Sequence, residues 1–109
     1  MGNVTLNLTL NQDHVFKFFY KSFDQDTEIS APIDITAYTA SFAAMSGKLT
    51  DVSIGGVTVS QNSAAGSVTV TIPSSAVDDF RSNNIRYFQV RLTGAANVVM
   101  ASGKVKVDV

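Results

Sequence analysis

From Ser67 to Ile72 apolar and polar residues alternate strictly, with Val68, Val70 and Ile72 set against Ser67, Thr69 and Thr71. A period of two in β-branched residues predicts a strand with one buried face. Pro73 ends it, because proline has no N–H to give a ladder. Ser74 or Ser75 then caps a short helical turn near 74–81, with Asp78 and Asp79 in its first turns, where the helix dipole favours negative charge. Val77 and Phe80 lie three apart, so they share a face and plug the end of the core. Arg81-Ser82-Asn83-Asn84 is turn chemistry. Ile85 to Leu92 is a second strand, with Phe88, Val90 and Leu92 on one face and Tyr87, Gln89 and Arg91 on the other. A strand, a short helical crossover and a strand are how immunoglobulin-like sandwiches pass between sheets, and Tyr87 stands where a tyrosine corner would.

The same alternation runs through the rest of the chain. Val4, Leu6, Leu8 and Leu10 form the apolar face of a first strand; Asn3, Thr5, Asn7 and Thr9 form its polar face. Asn11-Gln12-Asp13 turns into the most aromatic run, His14 to Phe23, where Phe16, Phe18 and Tyr20 oppose Val15, Lys17, Phe19 and Lys21. Phe19, between two lysines, is a candidate exposed aromatic, although a covering loop or N-terminal segment is the commoner fate of such a residue. Asp24 to Glu28 is an acidic loop, and Ala31 to Thr36 an extended entry to the next strand, Ala37 to Met45. Ser46-Gly47-Lys48 turns the chain. Gly55-Gly56, between Val52/Ile54 and Val57/Val59, reads as a two-residue hairpin turn, and Asn62 to Gly66 as a longer hairpin loop. The last strand spans Val98 to Val109, with a bulge at Ser102-Gly103 and charges on its outer face that discourage edge pairing. The expected fold is all-β: one domain over residues 1–109, an antiparallel β-sandwich, immunoglobulin-like in outline, with about eight strands.

Composition narrows the role. Charged residues are 16% of the chain, below the usual ~25%, so Ser, Thr, Asn, Gln and Ala must cover much of the surface. That suits a domain packed against neighbours better than a free enzyme. A net charge of -1 supplies no basic patch for nucleic acid. The absence of cysteine excludes disulfides and thiolate chemistry and suits a reducing compartment. The N-terminal residues lack a signal-peptide pattern, Leu6 spoils the Met1-Gly2 myristoylation start, and no stretch is apolar enough for a membrane helix.

Candidate chemistry is thin. His14 is the single histidine and lies beside Asp13, and no G-x-S-x-G elbow exists. A polar turn pair is the better reading of Asp13-His14 than a catalytic dyad. Asp24, Asp26 and Glu28 lack the glycine and the later glutamate of an EF-hand. Catalytic, cofactor and metal residues are therefore expected to be absent. The residues expected at interfaces are Phe19, Tyr20, Asp24, Asp26, Glu28, Tyr38, Tyr87 and Arg91.

One resemblance adds to this. The early strand Val15-Phe16-Lys17-Phe18, the acidic loop, Pro32-Ile-Asp-Ile-Thr36 and the alternating strand from Ala37 come in that order. Gly66 to Pro73, the short helix, Ile85 to Leu92 and Ser102-Gly103-Lys-Val-Lys-Val follow. Together they resemble small β-sandwich proteins and modules of tailed-bacteriophage virions, found in baseplates and tail-fibre attachments. Ala37 stands where that family has a glycine; Gly103 matches. The resemblance implies a non-enzymatic structural protein, a tail, baseplate or fibre-connecting adaptor. It implies homo-oligomers in contact with other virion proteins, assembled in the host bacterial cytoplasm, without cofactors, nucleic acid or membrane. The alternatives are a capsid decoration protein and a carbohydrate-binding module using Phe19, Tyr20, Tyr38 or Tyr87.

Overall fold

Apolar alternation becomes ten strands and one helix in the computed structural model, which describes residues 3–24, 26–46 and 50–108. The strands are β1 (Asn3–Thr9), β2 (His14–Phe19), β3 (Lys21–Asp24), β4 (Ile29–Pro32), β5 (Tyr38–Ser46), β6 (Asp51–Val52), β7 (Thr58–Asn62), β8 (Ser67–Ile72), β9 (Ile85–Gly94) and β10 (Val98–Asp108). Helix α1 (Ser74–Ser82) joins β8 to β9. The Met1-Gly2 start, Val109 and most of the turn expected at Ser46-Gly47-Lys48 lie outside the described residues.

The strands form a five-stranded sheet, β1-β10-β9-β5-β6, a three-stranded sheet, β2-β8-β7, and a separate ribbon, β3-β4. Pairing is antiparallel except between β1 and β10, which run parallel with Leu6 opposite Val105. That parallel pair departs from the all-antiparallel expectation, because alternation fixes a strand's buried face and not its direction. Leu6 and Leu8 of β1, Phe88, Val90 and Leu92 of β9 and Val68, Val70 and Ile72 of β8 enter one core with Ala76, Val77 and Phe80 of α1. The architecture is mostly β and compatible with a β-sandwich. Phe42 meets both Phe80 and Phe88 at centroid distances of 6.3 and 6.0 Å, and Phe18 meets Phe88 at 5.8 Å. These aromatic contacts tie β2, β5, β9 and α1 together.

Four local readings change. First, Gly55-Gly56 is not a hairpin turn. β6 pairs with β5 and β7 with β8, so this segment carries the chain from one sheet to the other. Val52, Ile54, Val57 and Val59 pack against the core on either side of it, which produces hairpin-like alternation in a crossover. Second, the bulge in β10 falls between Val99 and Ala101, not at Ser102-Gly103. Gly103 serves a close approach instead: a Cβ there would lie 1.7 Å from the Val4 carbonyl oxygen. Third, β10 is interior to its sheet, so its charges guard no edge. Fourth, Asp78 and Asp79 are not at the start of α1, whose first turn holds no acidic residue.

Candidate functional site

The polar side chains that promised chemistry are spent on architecture. The Ser74 N–H donates to Asp13 Oδ1 at 2.7 Å, so the helix is capped from 61 positions away; Pro73 at the N-cap has no side chain able to do it. The Thr9 N–H donates to His14 Nε2 at 2.9 Å, which makes that nitrogen the acceptor, and the imidazole stacks on Phe16 at 6.0 Å. Asp13 and His14, adjacent in sequence, thus face different partners. Asp78 accepts from Arg81 one turn on at 2.7 Å.

Gln61 does for β5 what a neighbouring strand would. β6 covers only Ala44 and Met45. At the other end of β5 the Ala40 N–H donates to Gln61 Oε1 at 2.9 Å, and Gln61 Nε2 donates to the Tyr38 carbonyl at 3.0 Å. The side-chain amide therefore completes the ladder and blunts an exposed edge. Arg91 is held on the outer sheet face. Its NH1 and NH2 donate to Asp51 at 2.8 and 3.1 Å, and Nε donates to Gln89 Oε1 at 2.8 Å. The guanidinium bonds hold the Asp51 carboxyl below its usual range and raise Arg91. Asp34 is also lowered, first by the Thr36 hydroxyl and then by the Thr36 N–H, both donating to Oδ1.

The residues expected at interfaces scatter. Tyr20 and Tyr38 pack against the core and are half-buried. Phe19 is 51% exposed, and no loop among the described residues covers it to the extent expected. The ammonium groups of Lys17 and Lys21 lie 5.4 and 5.0 Å from its ring centroid, a double cation–π arrangement on a solvated face. Asp26 and Glu28 are exposed in the β3–β4 turn; the side chain of Asp24 lies outside the described ones. No three His, Cys, Asp or Glu side chains among the described residues group as a metal site would need, and no described helix is long and apolar enough to cross a membrane.

Two surfaces among the described residues bear on function. The first is the β3–β4 ribbon, an unforeseen arm made from what read as the end of one long strand and a proline-led loop. The described side chains of Lys21, Ser22, Ser30, Ala31 and Pro32 are all exposed. Its base is fixed by backbone bonds: Tyr20 N–H to the Gly66 carbonyl at 2.8 Å, and Ile33 N–H to the Tyr20 carbonyl at 2.9 Å. Gly66, at φ 65°, allows this crowding; a Cβ would fall 2.3 Å from the Ile33 carbonyl oxygen and 2.8 Å from that of Tyr20. A two-stranded ribbon of this kind has little stability alone.

The second surface is a groove of about 520 Å³ on the outer face of the five-stranded sheet, lined chiefly by Thr5, Met45, Tyr87, Gln89, Ser102 and Lys104. Ala44 enters the core, so its neighbour Met45 points outward, yet Met45 is only 6% exposed and floors the groove. Tyr87 is in this groove, opposite Met45 and Lys104, and not in a tyrosine corner; no hydrogen bond from its hydroxyl appears among the described residues. A position on an outer sheet face was legible from alternation, but the concavity was not. No family model matches the chain, and comparison with curated proteins finds no match.

Proposed function

We propose that this chain is a non-enzymatic structural protein of a tailed-bacteriophage particle, an adaptor of the tail, baseplate or fibre base that works through many-copy contacts. The observation that carries this reading is the arm. Its described side chains are exposed, a two-stranded ribbon is marginal by itself, and an assembly protein completes such an element against its neighbours. Support also comes from the use of Asp13, His14, Gln61 and Arg91 as braces, and from the resemblance set out above.

On this reading the fold is an immunoglobulin-like sandwich. With β2, β5, β7, β8, β9 and β10 taken as strands B to G, the sheet orders become B-E-D and G-F-C. β1 then stands beside G, not beside B.

Quantitative mass spectrometry of purified particles tests the function, with copies counted against the major capsid protein. A few dozen copies fit a tail or neck adaptor, hundreds make it a capsid decoration protein, and absence refutes both. The one observation favouring a carbohydrate-binding module is Tyr87 beside Gln89, Ser102 and Thr5 in the groove; a glycan array without signal removes it.

A further inference from the structure

We propose that the acidic turn of the β3–β4 arm docks into the outer-face groove of a second copy of this chain, so that copies join head to tail. The inference rests on the assembly reading above and names the partner that reading leaves open.

Charge is the first ground. The groove offers the Lys104 ammonium, the Gln89 amide, the Tyr87 hydroxyl and the hydroxyls of Ser102 and Thr5, and no carboxylate among the described residues lines it. Lys104 has no ion-pair partner among the described residues, since Lys106 takes Asp108 and Arg91 takes Asp51. Gln89 receives Arg91 on its oxygen, which leaves its NH2 as a donor. A concave face of donors with one cation and an apolar floor fits an anion carried on a narrow projecting element. The arm turn is such an element: Asp26 and Glu28 are exposed carboxylates at a tight turn, with Glu28 at φ 56°, between strands only four residues long. Complementary patches of this kind fix register and speed encounter.

Placement is the second ground. The arm springs from the end of the body marked by Tyr20, Ile33 and Gly66. The Ile35 N–H donates to the Ser63 carbonyl and Gln61 reaches Tyr38, so this is also the end where β5 begins opposite Gly94. The groove lies toward the other end, where Met45 pairs with Tyr87. Seven residues of β9 separate the two levels, roughly 23 Å at the usual strand rise. The described chain, arm included, measures 45 × 26 × 25 Å; an arm of four-residue strands, roughly 13 Å at the usual rise, is too short to fold back into its own groove and reaches outward to another. A contact between unlike surfaces is heterologous; it closes into a ring or extends as a filament, and either suits a particle component.

The test is sedimentation velocity of the purified chain over a concentration series. The wild type is expected to associate, less so as salt rises. D26K/E28K and K104E are each expected to weaken association about tenfold or more, the loss that reversing a contact charge brings. An equimolar mixture of the two is expected to recover it, since the basic arm of one fits the acidic groove of the other. Q89E keeps the acceptor for Arg91 and should weaken association without touching the arm; circular dichroism checks that each variant is folded. A chain that stays monomeric to about 1 mM (a millimolar contact is worth only ~4 kcal/mol) overturns the proposal. So does association indifferent to the reversals, or loss that mixing does not repair. A monomeric chain that is nonetheless counted in particles overturns this contact and leaves the virion role standing. An associating chain absent from particles does the reverse.

Discussion

Asp13 offers the sharpest check on how this sequence builds its fold. Its carboxylate accepts the first N–H of α1 at 2.7 Å, and no acidic residue lies in that helix's first turn. Removing it withdraws two things from the helix start. One is the cap itself, worth about 1 kcal/mol in typical cases and up to ~2. The other is the negative charge at the positive end of the helix dipole, worth ~0.3–1 kcal/mol at an exposed site. Since the bond is exposed, water recovers part of the loss, so Asp13→Ala should cost about 1–1.5 kcal/mol in total. Asp13→Asn keeps an acceptor and loses the charge, so it should cost less than half of that. Urea unfolding followed by circular dichroism resolves the pair: the alanine change should lower the midpoint by roughly 0.5–1 M at an ordinary slope for a small domain. Ser74→Ala and Ser75→Ala should be near neutral, because neither hydroxyl caps the helix. If either serine costs more than Asp13, or if Asp13→Ala is silent, the long-range cap is wrong.

Other expectations follow from the same geometry. Phe88→Ala removes a fully buried ring that touches Phe18 and Phe42 and should cost ~3–5 kcal/mol, read from denaturant unfolding. Gly66→Ala puts a methyl 2.3 Å from a backbone oxygen at a left-handed residue, and should cost more than the ~1–2 kcal/mol of the conformation alone; a thermal midpoint within 2 °C of wild type would contradict it. The Asp51 and Asp34 carboxyls have folded pKa values below their unfolded ones. Their contribution is therefore complete above the unfolded carboxylate range and lost as pH falls through the folded values. Carboxyl NMR titration should find both below the usual range, and Arg91→Gln should return Asp51 alone toward it.

Much of the body was readable because burial and alternation are the same fact in a half-buried strand. Val68, Val70 and Ile72 are fully buried, as are Phe88, Val90 and Leu92, and Val77 and Phe80 close the core where their spacing put them. What alternation does not carry is which strand pairs with which. The crossover at Gly55-Gly56 imitates a hairpin because both flanks pack inward, and the arm was hidden because Tyr20 interrupts an aromatic run that looks continuous. The braces were invisible for a related reason. Asp13 to Ser74 and Gln61 to Ala40 are contacts across the fold, and a sequence shows a side chain's capacity to bond without its distant partner. The groove depends on how a sheet curves and on which outward residues stay small, and alternation shows neither.

The parallel register of β1 against β10 has a kinetic consequence. Val4 must find Gly103, and Leu6 must find Val105, with almost all of the chain between them. Closing so long a loop has an entropy cost that only the finished body can offset, and contacts of such separation slow folding. Until β10 is in place, Leu6 and Leu8 are a greasy strip without a berth. Refolding should therefore pass through a stage in which the rest of the core is assembled and the first strand is still loose. Residues on β1 should then speed unfolding when mutated, with little effect on the folding rate.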